Sequence, residues 1–139
     1  MKISIINGPN LNLVGKREVE IYGSESFESF LPKLKSKFKN AEIEYFQSNV
    51  EGEIINEIQR VGFEYDGIII NPGGYTHTSV AIGDAIASVK ARTIEVHLSN
   101  IFAREDFRKT SMVSAHCAGI ISGLGLKGYE LAVEWFLSR

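Results

Sequence analysis

The chain has 139 residues, a length typical of one domain and too short for two ordinary ones, so we expect a single domain spanning residues 1–139. Its 15 basic and 17 acidic side chains are spread along the chain and give a formal net charge of −2, which argues against nucleic-acid binding and a polybasic membrane anchor. The single cysteine, Cys117, excludes an intrachain disulfide and a cysteine-based zinc site. The apolar run at the N-terminus is too short for a signal peptide. Together these features predict a cytoplasmic protein.

Short β-branched runs alternate along the chain with apolar residues at helical spacing. In chain order the patterns predict a strand at residues 3–6, a helix at 27–38, a strand at 43–46, a helix at 54–61, a strand at 67–70, a helix at 80–89, strands at 93–98 and 118–121, and a helix at 131–136. The strands are apolar on both faces, which indicates a parallel sheet between two layers of helices. We therefore predict a flavodoxin-like, three-layer α/β sandwich with five parallel strands in the order 2-1-3-4-5.

Three helix starts are predicted, at Ser26, at Asn49 or Val50, and at Thr78 or Ser79. Pro32 falls inside the first helical pattern, where its ring would clash with a preceding carbonyl group. We expect this helix to begin late, near Ser29, or to kink at Pro32.

Polar side chains follow predicted strands 1, 3 and 4, in residues 7–22, 71–78 and 97–108. Open parallel sheets bind ligands beyond the carboxyl ends of their strands, so these three connections are expected to form the site. The first is unusually long for a βα loop, and its glycines at 15 and 23 can act as hinges around Arg17 and Tyr22. The second contains the Gly73-Gly74 pair and leads into a helix start, which suits an anionic group.

Several functions are not expected because the chain lacks the residues that they require. No Gly-x-Ser-x-Gly elbow is present, so a serine hydrolase is not expected. A receiver-like phosphoacceptor needs carboxylates where this chain has Asn7 and Asn71, and the segment after strand 1 is neither an FMN phosphate loop nor a Gly-x-Gly-x-x-Gly turn. A metal site from His77, His97 and Glu95 has no familiar ligand spacing, and a carboxylate that orients a histidine is the favoured interpretation.

What remains is acid–base chemistry, without metal or cofactor, on a polar and anionic small molecule. Proton abstraction next to a carbonyl group fits these residues. A tyrosine, with an ordinary pKa of about 10, is a poor base at neutral pH unless a cation favours its anion. Arg17 is a candidate cation for Tyr22, and a histidine held by Glu95 could protonate a departing hydroxyl group.

Five segments taken together resemble the type II 3-dehydroquinate dehydratases. They are NGPNL at 7–11, Arg17-Glu18 with Tyr22-Gly23, NPGGYTHTS at 71–79, EVHLSN at 95–100 and AREDFR at 103–108. The resemblance continues through GLGLKGY at 123–129 to the last helix, so it covers essentially the whole chain.

The resemblance implies a flavodoxin-like subunit of a homo-dodecamer, built as a tetramer of trimers. It also implies the trans-dehydration of 3-dehydroquinate to 3-dehydroshikimate, a hydro-lyase step of the shikimate pathway to aromatic amino acids, with no cofactor and no covalent imine. Asp84 matches the acidic residue that reaches the site of a neighbouring subunit.

The resemblance also implies roles for five residues in the reaction. Ionised Tyr22 removes a C2 proton to give an enolate, while Arg17 holds the tyrosinate charge and shapes the closed lid. His97, oriented by Glu95, donates a proton to the departing C1 hydroxyl group. Asn10 holds a water molecule against the enolate oxygen.

Substrate binding is implied for a second set of residues. Asn71 and the backbone amides of Leu98 and Ser99 match the site for the substrate carboxylate. His77 and Arg108 match the residues that bind the ring hydroxyl groups.

Structural interpretations exist for several of these residues on their own. Tyr22 could pack its ring at the surface, and His77 could cap the helix that begins near Thr78. Arg104 and Arg108 could be a solvated pair, since residues four apart share a helical face. Only the resemblance gives Arg108 a role, and Arg104 has none assigned.

Two other functions stay open. A nucleotide- or phosphate-binding module would use the Gly73-Gly74 turn, and tight FMN or nucleotide binding would favour it. A non-catalytic assembly protein would keep the fold but would be expected to lack Arg17, Tyr22 or His97, and the chain has all three.

Overall fold

A computed structural model describes residues 1–139. Its five strands are β1 (Lys2–Asn7), β2 (Glu42–Gln47), β3 (Gly67–Asn71), β4 (Arg92–His97) and β5 (Gly119–Ser122). Its α-helices are α1 (Val19–Tyr22), α2 (Phe27–Lys37), α3 (Glu51–Val61), α4 (Val80–Ala87) and α5 (Lys127–Leu137). Short 3₁₀ helices lie at Leu11–Leu13, Gly73–His77, Ile101–Ala103, Asp106–Lys109 and Ser114–His116. The predicted strands are confirmed to within a residue at each end, whereas α1 was not predicted.

The five strands form one parallel sheet in the order β2-β1-β3-β4-β5, which confirms the predicted topology. Asn7 pairs in register with Asn71, and His97 pairs with Ser122, so the carboxyl ends of the strands meet at one edge. That edge is where the long connections begin.

Two apolar clusters cover the two faces of the sheet and account for the near-continuous apolar strands. Ile69 packs on one face with residues of α2 and α5, and Ile68 and Ile70 pack on the other with residues of α3 and α4. Successive strand side chains point to opposite faces, so a strand covered on both sides has apolar residues at most positions. No helix of the chain is both long enough and apolar enough to cross a membrane.

Two of the predicted helix starts, Ser26 and Ser79, are confirmed. In each case the side chain of the serine caps the helix. The Ser26 hydroxyl accepts a hydrogen bond from the Ser29 N–H at 3.1 Å, and the Ser79 hydroxyl accepts one from the Ile82 N–H at 3.0 Å. The third start is at Val50, whose own N–H donates to the Ser48 hydroxyl at 3.0 Å.

The expected late start of the first long helix is wrong, because α2 begins at Phe27 and contains Pro32. Pro32 has no N–H to donate to the carbonyl group of Glu28, four residues earlier. Both residues are exposed, so water can hydrate that carbonyl group. The cap at Ser26 therefore determines where the helix begins.

Candidate active site

A cavity of about 280 Å³ lies beyond the carboxyl ends of β1, β3 and β4. The three predicted connections form its wall, with Pro9, Asn10, Leu11, Val14, Arg17, Glu18 and Tyr22 from the first, Asn71, Gly73, Gly74 and His77 from the second, and His97, Leu98, Ser99, Ile101, Arg104 and Arg108 from the third. The predicted location of the site is thus the location of this cavity.

Two of the predicted site residues do not line the cavity. Glu95 is fully buried behind His97 in β4, and Asp84 is exposed on α4. The other nine, which are Asn10, Arg17, Tyr22, Asn71, His77, His97, Leu98, Ser99 and Arg108, all face it. The fold therefore brings together side chains that are up to 98 residues apart in the sequence, from Asn10 to Arg108.

The first connection places Tyr22 at the end of the short helix α1. Gly15 and Gly23, on either side of it, have φ values of 89° and 86°, in the region that favours glycine. The Arg17 guanidinium lies 5.1 Å from the centre of the Tyr22 ring and forms an ion pair with the Glu18 carboxylate. Arg17 thus contacts the face of the phenol ring, and no hydrogen bond joins it to the hydroxyl group.

Arg104 contacts the hydroxyl end of the same phenol. Its Nη1 donates to the Tyr22 hydroxyl at 3.0 Å and to the Ser99 hydroxyl at 3.1 Å. The sequence left Arg104 without a role, although it lies in the same loop as residues that were assigned. The structure therefore adds a second cation to Tyr22, and this one is within hydrogen-bond distance of the oxygen.

His97 and Glu95 form a buried pair at the end of β4. The His97 Nε2 lies 3.4 Å from Glu95 Oε1, and His97 is 5% exposed. Nε2 also lies 3.4 Å from the Thr76 hydroxyl, whereas Nδ1 has no hydrogen-bond partner in the chain. Glu95 therefore holds one ring nitrogen, and the other is available to a ligand in the cavity.

Three hydroxyl groups surround the Glu95 carboxylate. Thr76 donates to it at 3.0 Å and Ser111 at 3.2 Å, and Ser114 donates to its other oxygen. Burial by itself raises the pKa of Glu95, but hydrogen bonds from His97, Ser114 and Thr76 and the positive charge of His97 outweigh it, so the pKa lies below its ordinary value. Glu95 is therefore an anion at neutral pH, and its carboxylate lies beside the His97 ring.

The buried surroundings of Glu95 also affect the only thiol of the chain. Burial, together with the nearby Glu95 charge, raises the pKa of Cys117 to about 12. The reactive thiolate is therefore only a very small fraction of the molecules at pH 8. We expect native protein to resist a thiol-specific disulfide reagent at pH 8 and to react with one equivalent after unfolding in guanidinium chloride. Rapid stoichiometric labelling of the native protein would contradict this prediction.

The second connection supplies Asn71 and His77. The Asn71 Oδ1 accepts a hydrogen bond from the Gly73 N–H at 3.1 Å, and its Nδ2 donates to the Tyr129 hydroxyl at 3.2 Å. His77 Nδ1 donates to the Thr110 carbonyl group at 2.8 Å, and its ring is stacked 6.4 Å from that of His97. The capping interpretation of His77 is wrong, because Ser79 caps α4.

The third connection supplies donors that other protein groups do not use. The backbone N–H groups of Leu98 and Ser99, which both line the cavity, donate no hydrogen bond within the chain. Unpaired amides at the end of a strand suit a negatively charged ligand group. Arg108 donates from Nε to the Glu105 carboxylate at 2.8 Å, and it still reaches the cavity wall.

Asn10 completes the wall from the first connection. Its backbone has a φ of 69°, and its N–H donates to the Asn49 side-chain oxygen at 3.0 Å. Its side-chain amide has no protein partner. Asn10 is thus held through its backbone, with its polar end free for a ligand or a water molecule.

The hypothesis of a metal site gains no support from this arrangement. No three His, Cys, Asp or Glu side chains are grouped so that they could hold a metal ion. His77 and His97 instead bond a backbone carbonyl group and a carboxylate, respectively.

A doubly wound parallel sheet that gathers a phenol, three guanidinium groups and a carboxylate-paired imidazole beyond its carboxyl edge is typical of an α/β enzyme, and these groups suit acid–base chemistry. The sequence profile of the family described as Dehydroquinase class II matches residues 1–137. The 3-dehydroquinate dehydratase of Fusobacterium nucleatum subsp. nucleatum is 56% identical, over 99% of this chain and 97% of that protein. The 3-dehydroquinate dehydratase of Clostridium beijerinckii is 57% identical, over 96% of this chain and 94% of that protein.

Solved structures agree with the sequence comparisons. The crystal structure of type II dehydroquinase from Butyrivibrio crossotus superposes with a TM-score of 0.95 at 50% identity, over 99% of this chain and 97% of that one. The type II dehydroquinase from Propionibacterium acnes gives a TM-score of 0.95 at 40% identity, with the same coverage. The chain belongs to the class II dehydroquinase family, as the resemblance predicted, and its enzyme class is therefore type II 3-dehydroquinate dehydratase, a lyase.

Proposed function

We propose that residues 1–139 act as one catalytic domain that converts 3-dehydroquinate to 3-dehydroshikimate by trans-dehydration through an enolate. The observation that supports this best is that Tyr22 and His97 line one cavity, the phenol bonded to a guanidinium group and the imidazole paired with a buried carboxylate. Such a site holds a base and an acid in separate electrostatic surroundings, as proton abstraction followed by loss of water requires.

Tyr22 is the base in this proposal. The guanidinium groups of Arg104, at 3.0 Å from the hydroxyl oxygen, and of Arg17, over the ring, stabilise the phenolate. The phenolate takes the C2 proton, and the C–H electron pair moves toward the carbonyl oxygen to give the enolate. Asn10, whose side-chain amide is free, holds a water molecule that donates to the enolate oxygen.

His97 is the acid. Its imidazolium, stabilised by Glu95, donates a proton to the C1 hydroxyl group, which leaves as water. The enolate electron pair then forms the C1–C2 double bond, conjugated with the restored carbonyl group. The cycle leaves Tyr22 protonated and His97 neutral, and proton exchange with solvent returns both to their starting states.

The remaining polar groups of the cavity bind the substrate. Asn71 and the unpaired N–H groups of Leu98 and Ser99 take the carboxylate, since all three are hydrogen-bond donors at the ends of β3 and β4. His77, with Nδ1 committed to Thr110, presents Nε2 to a ring hydroxyl group, and Arg108 binds another.

We also propose a homo-dodecamer, a tetramer of trimers, in which the exposed Asp84 of α4 reaches the cavity of a neighbouring subunit. Asp84 lies outside the cavity of its own chain, so any role in the reaction requires a second copy.

A cytoplasmic location is proposed on the basis of the single, unpaired Cys117.

The proposed activity is tested by incubating the protein with 3-dehydroquinate and following ultraviolet absorbance. The conjugated enone of the product absorbs where the substrate does not, so absorbance is expected to rise with time and with enzyme concentration. A flat trace with folded protein would contradict the proposed function. Tight binding of FMN or a nucleotide would favour the binding-module hypothesis instead.

The cations beside Tyr22 predict a loss of activity when either is removed. Arg104→Ala and Arg17→Ala both remove positive charge beside the proposed phenolate, so kcat at neutral pH is expected to fall. The fall is expected to be larger for Arg104→Ala, whose guanidinium contacts the oxygen, than for Arg17→Ala, whose guanidinium lies over the ring.

A matched control for these variants is Arg92→Ala. Arg92 is an exposed arginine at the start of β4 that lies over the Trp135 ring, at the opposite end of the strand from His97. Its removal is expected to leave kcat unchanged. An unchanged kcat for Arg104→Ala would count against the cation role.

A further inference from the structure

A buried tyrosine lies directly behind the cavity. Tyr129 of α5 is fully buried, and its hydroxyl group lies between two asparagines at the ends of neighbouring strands. It is 2.7 Å from Asn7 Oδ1 and 3.2 Å from Asn71 Nδ2. These asparagines are paired in register across β1 and β3, so one hydroxyl group can reach both.

The hydrogen bond from the Gly73 N–H sets the direction of the bond between Asn71 and Tyr129. The Gly73 N–H donates to Asn71 Oδ1 at 3.1 Å, so the other end of the Asn71 amide is the NH₂ group. One of its two N–H bonds points at the Tyr129 oxygen, which therefore accepts and uses its own proton to donate to Asn7. Burial raises the pKa of Tyr129, so the phenol keeps this proton over the working range of pH.

The second N–H of the Asn71 amide is left for a ligand, because Asn71 lines the cavity. The terminal torsion of an asparagine is soft, and a free amide would spread its donors over many directions. In this chain one end of the amide is held by Gly73 and the other by Tyr129, so the remaining donor has one orientation.

The packing around Tyr129 does not by itself require a hydroxyl group. The ring makes edge contacts with Phe27, with ring centres 5.0 Å apart, and lies 6.1 Å from Phe30, so a phenylalanine would fill the same space. A hydroxyl group placed among apolar side chains costs free energy unless hydrogen bonds compensate for it. The Tyr129 hydroxyl group is explained if its hydrogen bonds orient a residue of the cavity.

We propose that Tyr129 is a positioning residue that aims the free N–H of Asn71 at the substrate carboxylate. This inference rests on the proposed function, in which Asn71 and the amides of Leu98 and Ser99 bind that carboxylate. Tyr129 touches no substrate atom, and it acts through Asn71.

The first test is Tyr129→Phe, with steady-state kinetics on 3-dehydroquinate. The KM is expected to rise about tenfold, the effect of one misdirected hydrogen bond, while kcat changes little because the base and the acid are untouched. The matched control is Tyr65→Phe, a buried tyrosine of the other apolar cluster whose hydroxyl group lies 3.5 Å from Arg60 Nη1. A lowered melting temperature with an unchanged KM would show a purely structural role and overturn the proposal.

The second test is a double-mutant cycle with Asn71→Ala. If Tyr129 acts only through Asn71, adding Tyr129→Phe to Asn71→Ala leaves the KM of the single variant unchanged, and a further tenfold rise overturns the proposal. If Tyr129→Phe fails to fold, Asn7→Ala serves instead, because it removes the acceptor for the Tyr129 proton. The KM of Asn7→Ala is expected to rise, and an unchanged KM overturns the proposal. Turnover by the wild-type chain is measured first, so that failure of the proposed function is distinguished from failure of the Tyr129 proposal.

Discussion

Tyr22→Phe is expected to lower kcat by about 10³-fold or more, because it removes the only oxygen that can take the C2 proton in the proposed reaction. The phenylalanine ring keeps the contact with Arg17, and the groups proposed to bind the carboxylate are unchanged. Substrate binding should therefore stay measurable by calorimetry while turnover in the ultraviolet assay is lost.

Tyr75→Phe is the matched control for this variant. Tyr75 lies in the second connection and donates from its hydroxyl group to the Asn49 carbonyl group at 2.8 Å, but it does not line the cavity. Its loss is expected to leave kcat near the wild-type value. A Tyr22→Phe enzyme with near-normal kcat would remove Tyr22 from the role of base.

His97→Ala is expected to lower kcat by about 10²- to 10⁴-fold, the usual range for a lost general acid. The site should still form the enolate, because Tyr22 and both arginines remain. In D₂O this variant is therefore expected to exchange the C2 hydrogen of the substrate for deuterium without losing water, whereas Tyr22→Phe should do neither. Nuclear magnetic resonance of the recovered substrate measures this exchange.

The matched control is His116→Ala, since His116 is an exposed histidine outside the cavity. It is expected to dehydrate the substrate at the wild-type rate. Normal turnover by His97→Ala would refute the acid assignment. Loss of both exchange and turnover in a folded His97→Ala protein would show that His97 is needed before the enolate forms.

The sheet was predictable because its signal is local. A strand covered on both faces has apolar side chains at most positions, and runs such as Ile68-Ile69-Ile70 therefore identify it without tertiary information. Helix α1 was missed because four residues contain too little periodicity to be recognised. The start of α2 at Ser26 was predictable from its cap, whereas the late start expected from Pro32 was wrong because water can hydrate the carbonyl group that Pro32 leaves unpaired.

The candidate site was predictable where its residues lie close together in the chain or at the ends of strands. Glu95 and His97 lie two apart in one strand and so share a face, which is visible in the sequence. The contact between Arg104 and the Tyr22 hydroxyl joins residues 82 positions apart, and no spacing rule predicts it. The hydroxyl groups of Ser111 and Ser114 reach Glu95 from a loop and a short 3₁₀ helix, elements with no periodic signal.

The sequence by itself determined the order of the strands, the sheet edge that carries the cavity, the family and most of the residues that line it. All of these are inferred from residue types and from the periodicity of apolar residues. Burial and local side-chain sterics impose that periodicity. Only the tertiary structure decided which cation touches the Tyr22 oxygen, that Glu95 is held by three hydroxyl groups, and that the buried Tyr129 hydroxyl group is hydrogen-bonded to Asn71. Those contacts join distant segments, and packing of the whole chain sets their distances and directions.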